Sequence, residues 1–127
     1  MRPASPTPSH KGPTEHPDPD NARDALRQRY VAELLRLYLA TPGVAGRVRR
    51  ADRHFAASLF DQGVPLYAIE NAFVVTAARR VRHNAFATPL PAIRTLWYFR
   101  EVIREVLDRP PGPRDIEQMR EALLRQR

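Results

Sequence analysis

The chain has 127 residues, a length suited to one domain, with 21 basic residues against 14 acidic ones and a formal charge of +7. Twenty of the basic residues are arginine, Lys11 being the exception, and the absence of cysteine excludes disulfides, thiolate metal sites and cysteine nucleophiles. No apolar run approaches the roughly 18 residues of a membrane span, and Met1-Arg2-Pro3-Ala4-Ser5-Pro6 lacks the apolar stretch of a secretory signal. The expectation is a soluble, cytoplasmic, basic protein without a membrane partner.

Residues 1–20 contain six of the thirteen prolines and no large apolar side chain beyond Met1, so little there could offset the entropy of ordering. A disordered tail is expected over 1–20 and one helical domain over 21–127. The tail carries a charge of −1 (Arg2 and Lys11 against Glu15, Asp18 and Asp20), which leaves +8 for the rest.

From Asp20 the spacing is helical. Asp20 or Asn21 can cap, and Leu26, Tyr30, Leu34, Leu37 and Tyr38 recur at steps of three and four until Thr41-Pro42-Gly43 ends the helix. Residues 43–50 form a linker. A shorter helix is expected from Ala51 to Gln62, with Phe55, Ala56, Leu59 and Phe60 on one side and Gly63 as its stop. Pro65 suits the first position of a third helix running to about Arg82. Residues 83–91 are a loop, and a fourth helix spans Ala92 to Asp108. After Pro110-Pro111-Gly112-Pro113, a short helix opens with Asp115 and Gln118 at capping-box spacing. No strand-like alternation of useful length occurs. The fold expected is all-α, a compact bundle of four main helices plus a short fifth.

Two charges fall inside apolar stripes. Glu70 shares a face with Leu66, Ile69, Phe73, Ala77 and Val81, and Arg100 shares one with Ile93, Leu96, Phe99, Ile103 and Leu107. A lone buried charge is costly, so Glu70 and Arg100 are expected to meet as a structural ion pair between helices three and four. Trp97, Tyr98 and Phe99 are consecutive and cannot all face one core. Tyr98 and Val102 point away from the Leu96–Ile103 side and, with Trp97, form a core contact with another segment, a partner surface or a base-stacking platform.

Residues 47–100 hold nine arginines against Asp52, Asp61 and Glu70, whereas residues 101–127 are neutral. Arg47, Arg49, Arg50 and Arg53 lead into helix two beside His54, and Arg79, Arg80 and Arg82 close helix three beside His83. If these helices fold back on each other, the two clusters merge into one cationic patch suited to phosphate backbones, with Arg94 as an extension. If they cross as in a helix-turn-helix, the clusters separate and the second helix is the reader. The opposing interpretation is a solvated face, with Arg79–Arg82 favoured by the helix macrodipole, or a surface for an acidic protein.

Phe55 to Ile69 has a helix-turn-helix outline: a short helix, Gly63, the apolar turn residue Val64 and a second helix. Ser58, Leu59 and Gln62 depart from its packing pattern, and Tyr67, Asn71 and Val75 offer few long donors for base edges. Residues 63–108 carry a different pattern. Gly63 leads a helix holding Ile69, Ala72 and Ala77-Ala78-Arg79-Arg80, then a loop, then Ile93-Arg94-Thr95-Leu96-Trp97-Tyr98-Phe99 with Val102-Ile103. This resembles the C-terminal helical module of DnaD-like primosomal and replication-initiation proteins. The aromatic is doubled here, and Arg109-Pro110-Pro111 stands where that module has a tryptophan-containing segment. The chain is also similar to small helical proteins carried beside recombinases or transposases on bacterial mobile elements. Either resemblance implies DNA binding or helicase-loader contact without catalysis.

His10 and His16 lie in the tail, and His54 and His83 each sit among arginines that oppose metal binding. Ser58 has no triad context, and the five glycines are scattered singly rather than gathered in a phosphate loop. A non-catalytic protein without metal or cofactor is expected. Its partner is nucleic acid, DNA before RNA, contacted by Arg47, Arg49, Arg50, Arg53, Arg79, Arg80, Arg82 and Arg94. The alternative is a protein-interaction or self-associating subunit using Trp97, Tyr98, Val102 and the last helix.

Overall fold

A computed structural model of the chain describes residues 18–126. Asp18, rather than Asp20 or Asn21, caps the first helix, its carboxylate accepting from the Asp20 N–H at 3.0 Å with Pro19 at the first helical position. The folded part therefore starts two residues before the expected end of the tail, and the remainder of that tail lies outside the described residues. Helix α1 spans Pro19–Ala40, α2 Arg50–Asp61, α3 Leu66–Phe86, α4 Arg100–Asp108 and α5 Pro113–Arg125. A single 3₁₀ turn, Leu96–Phe99, feeds directly into α4. The architecture is all-α, and no helix among the described residues is long and apolar enough to cross a membrane.

Helices α1 and α2 pack as an antiparallel hairpin, and α3 is the central element, touching α1, α4 and α5. Its continuous buried run from Ala72 to Ala77 follows from that position. The core holds Leu34 and Tyr38 of α1, Ala56 and Leu59 of α2, Ile69 and Phe73 of α3, Leu96 and Phe99 of the 3₁₀ turn, Ile103 and Val106 of α4, and Ile116 of α5. The rings of Tyr38, Phe73 and Phe99 meet at its centre, with Phe73 and Phe99 edge-to-face at 4.7 Å.

The α2–α3 turn is a Schellman motif. Val64 N–H donates to the Leu59 carbonyl and Gly63 N–H to that of Phe60, and Gly63 takes φ +77°, a conformation side chains oppose. Tyr30 of α1 locks the turn by donating to the Val64 carbonyl at 2.8 Å. Beyond the turn, α2 packs on α1 and on the 3₁₀ turn rather than along α3.

Two expected boundaries move. Helix α3 runs on to Phe86, one turn past Arg82, because no helix breaker intervenes before Pro89. The fourth helix starts late: Ile93 is extended and pairs with Val44 in an isolated parallel bridge, its N–H donating to Gly43 and its carbonyl accepting from Ala45. Pro91 and the extended cap residue Thr95 hold this segment out of helical geometry. Ile93, Leu96, Phe99 and Ile103 of the expected stripe are buried nonetheless, and its last member alone differs. Val106 faces the core, whereas Leu107 is exposed.

The expected Glu70–Arg100 pair does not form. Glu70 instead faces α5 and pairs with Arg120 at 3.4 Å, while Arg100 lies 4.6 Å over the Trp97 ring and 3.9 Å from Glu101. Both side chains are at stripe edges where water reaches them, and it is α5 that covers Glu70's side of α3.

Candidate nucleic-acid interface

The segment 47–53 is placed by one buried carboxylate. Asp52 is 1% exposed and accepts from Arg49 N–H at 2.8 Å, Leu96 N–H at 2.8 Å and the Thr95 hydroxyl at 3.3 Å. The first contact closes the N-terminal turn of α2, and the other two tie that turn to the start of the 3₁₀ segment. Burial of Asp52 also removes the only acidic side chain of the segment from the surface. Arg47, Arg49, Arg50 and Arg53 are all exposed, and among the described residues none forms an ion pair. His54 is exposed beside them.

Arg94 belongs to the same end of the molecule. Because the Val44–Ile93 bridge is parallel, both strands leave it in one direction, one toward Arg47 and the other toward Arg94. Thr95, the next residue, touches Asp52. Arg94 is exposed and, among the described residues, without a carboxylate partner.

The second expected cluster does not act as one. Arg79, Arg80 and Arg82 radiate from α3 toward three different elements. Arg79 forms a two-pronged ion pair with Glu105 of α4, which holds the Glu105 carboxyl below the usual carboxylate range and raises Arg79. Arg80 is 8% exposed, donating to the Tyr98 hydroxyl at 3.0 Å and to the Pro91 carbonyl at 2.6 Å. Gly43 lies against this guanidinium: a Cβ there would be 3.0 Å from Nε, and the glycine has φ +96°. Arg82 is exposed near Pro111 and Asp115. The single merged patch of seven guanidiniums is therefore replaced by five exposed arginines, 47, 49, 50 and 94 with Arg53, which lines the α1–α2 groove beside Asp24.

A recognition role for α3 is also excluded by packing, since Val75 of its supposed reading face is 5% exposed. Only Tyr67 projects freely, at 68%. Trp97 and Tyr98 do not share a surface. Trp97 stacks edge-on against Phe55 at 4.9 Å on the α2 side, whereas Tyr98 and Val102 face α3. Among the described residues no group of three His, Asp or Glu side chains could hold a metal ion.

Composition could not separate Arg80 from its neighbours. The signal lies in the buried stripe of Ile69, Phe73, Thr76 and Arg80, all four within the helix expected to run to Arg82. Asp52 had its own signal in its three-residue spacing from Arg49. Compared with protein families, curated proteins and solved structures, the chain matches none.

Proposed function

We propose that the chain is a non-catalytic nucleic-acid-binding protein of the cytoplasm, DNA being its partner, that serves as an accessory factor in replication or mobile-element recombination. The observation that carries this reading is the set of five exposed arginines, 47, 49, 50, 53 and 94, none of which forms an ion pair among the described residues, the Asp52 carboxylate within their segment being buried. Such a surface neutralises phosphates by displacing counterions, and guanidinium forks suit phosphate oxygens. The pathway assignment draws on the DnaD-like pattern of residues 63–108.

Labelled single- and double-stranded oligonucleotides titrated at several salt concentrations test it. Binding weakens steeply with salt, and replacing Arg47, Arg49, Arg50 and Arg53 by Gln reduces the slope of log K on log salt by about 3–4. Replacing Arg79 has a small effect, since Glu105 already neutralises it. Absence of binding at low salt overturns the proposal. A protein-contact role is the second reading, favoured by Trp97 and Leu107, 52% and 43% exposed, along a groove that Phe55 also lines.

A further inference from the structure

Arg80 is the one buried cation among the described residues, and it forms no ion pair there. Its guanidinium has five N–H donors, of which two are engaged, both with neutral oxygens, and the Tyr98 ring lies 5.6 Å away. A buried charge without a counter-charge is among the most expensive arrangements a fold can hold. One turn earlier on α3, Thr76 is 4% exposed and its hydroxyl has no hydrogen-bond partner among the described residues. Threonine hydroxyls inside helices ordinarily bond back to a carbonyl of the preceding turn. Thr76 and Arg80 thus continue one buried stripe and line the same space, the Thr76 oxygen itself being closed to solvent while Arg80 keeps three N–H groups to spare.

That space is a groove of about 350 Å³. Thr76, Arg79, Arg80 and His83, at positions i, i+3, i+4 and i+7 of α3, form its polar wall, and Leu90, Tyr98 and Val102 form the other. Arg79 is committed to Glu105, and the His83 ring donates to the Thr88 carbonyl at 3.2 Å, which leaves the unused N–H groups of Arg80 and the Tyr98 O–H as the spare donors of the groove among the described residues.

We propose that this groove is a binding site for a small organic anion, a carboxylate or phosphate group carried on an apolar body about the size of one ring. The anionic oxygens accept from the unused N–H groups of Arg80 and from the Tyr98 hydroxyl, while the apolar body rests on Leu90, Val102 and the Tyr98 ring. The volume lies at the small end of ligand pockets, about 300–1,000 Å³, which suits a single ring and excludes a polynucleotide. The site shares no residue with the 47–53 and Arg94 surface and stands independently of the nucleic-acid reading.

Calorimetric titration of the full chain with benzoate, phenyl phosphate and the neutral isostere benzamide, at constant ionic strength, tests the site. At least one of the two anions is expected to bind about tenfold or more tighter than benzamide, a difference of about 1.4 kcal/mol, and comparing the two identifies the preferred anion. Val102→Glu, at a partly exposed position of the groove wall, offers Arg80 a carboxylate in place of the ligand, so it should keep the helical circular dichroism of the wild type yet bind the anion about tenfold more weakly. The chain with Arg47, Arg49, Arg50 and Arg53 replaced by Gln should bind the anion as the wild type does. The proposal is overturned if neither anion binds, if benzamide binds equally well, or if Val102→Glu binds unchanged.

Discussion

At the residue scale, Asp52 couples fold to surface. One carboxylate closes the first turn of α2, accepts the Leu96 N–H that starts the 3₁₀ turn, and keeps negative charge away from the arginines around it. Its burial is affordable because three donors converge on it, and hydrogen bonds to a charged acceptor contribute more than neutral ones. Tyr38 shares this environment: burial, reinforced by the Asp52 charge, pushes its phenol up to about 12, so it stays neutral and acts as core. Asp52→Asn replaces one accepting oxygen with an N–H₂ group that faces donors. Urea denaturation should show a loss of about 2–4 kcal/mol. A loss below ~0.5 kcal/mol would mean that these contacts do not hold α2 to the 3₁₀ turn.

At the scale of elements, the α1–α2 hairpin is sealed at its open end by charge rather than by apolar packing. Leu26 is 53% exposed, and Asp61 at the last position of α2 receives both Arg23 and Arg27. The Arg27 hydrogen bonds, then the charges of both arginines, hold the Asp61 carboxyl below its ordinary range. A carboxyl depressed in the folded state stabilises above its unfolded pKa, and that contribution is lost as pH falls through the folded value. Acid should therefore fray the first turns of α1 before the Tyr38–Phe73–Phe99 core opens, and salt should blunt the effect because the pairs are exposed. Hydrogen exchange followed from neutral to acid pH reports this order, and Asp61→Asn should remove the pH dependence of protection in those turns. Simultaneous loss of protection throughout would contradict it.

The same scale shows what the sequence made legible. All five helices could be located from periodicity and from proline and glycine stops, because those signals are local. Periodicity gives Ile93 the correct interior but the wrong conformation: a buried residue six before Phe99 fits a helical stripe, yet it enters the core from an extended segment clipped to Gly43 and Ala45. The Glu70–Arg100 pairing failed for a related reason. A wheel gives the face a residue occupies and not the element that covers it, and α5 covers Glu70.

At the scale of the whole molecule, a net charge of +7 conceals three physical uses among twelve of the arginines, while Arg29, Arg82, Arg104, Arg109, Arg114 and Arg125 are exposed without an ion pair among the described residues. Arg23, Arg27, Arg36, Arg79, Arg100 and Arg120 are matched to carboxylates, Arg80 is buried, and the 47–53 group with Arg94 repels itself at one end of the fold. Of the eight arginines expected to contact nucleic acid, 47, 49, 50, 53, 82 and 94 are exposed without an ion pair among the described residues, while Arg79 and Arg80 are not distinguishable from them by counting. This division carries its own consequence for stability. Like charges gathered without partners cost folding free energy that salt relieves by screening. Replacing Arg47, Arg49, Arg50 and Arg53 by Gln should leave stability within ~0.5 kcal/mol of the wild type or raise it at low salt, and salt should stabilise the wild type more than the variant. Arg79→Gln should do the reverse, losing stability at low salt because Glu105 is left unpaired. Denaturant melts of the three proteins at low and high salt separate these cases. A four-arginine variant less stable by more than ~1 kcal/mol would place those side chains among the supports of the fold instead of on a surface held ready for a polyanion.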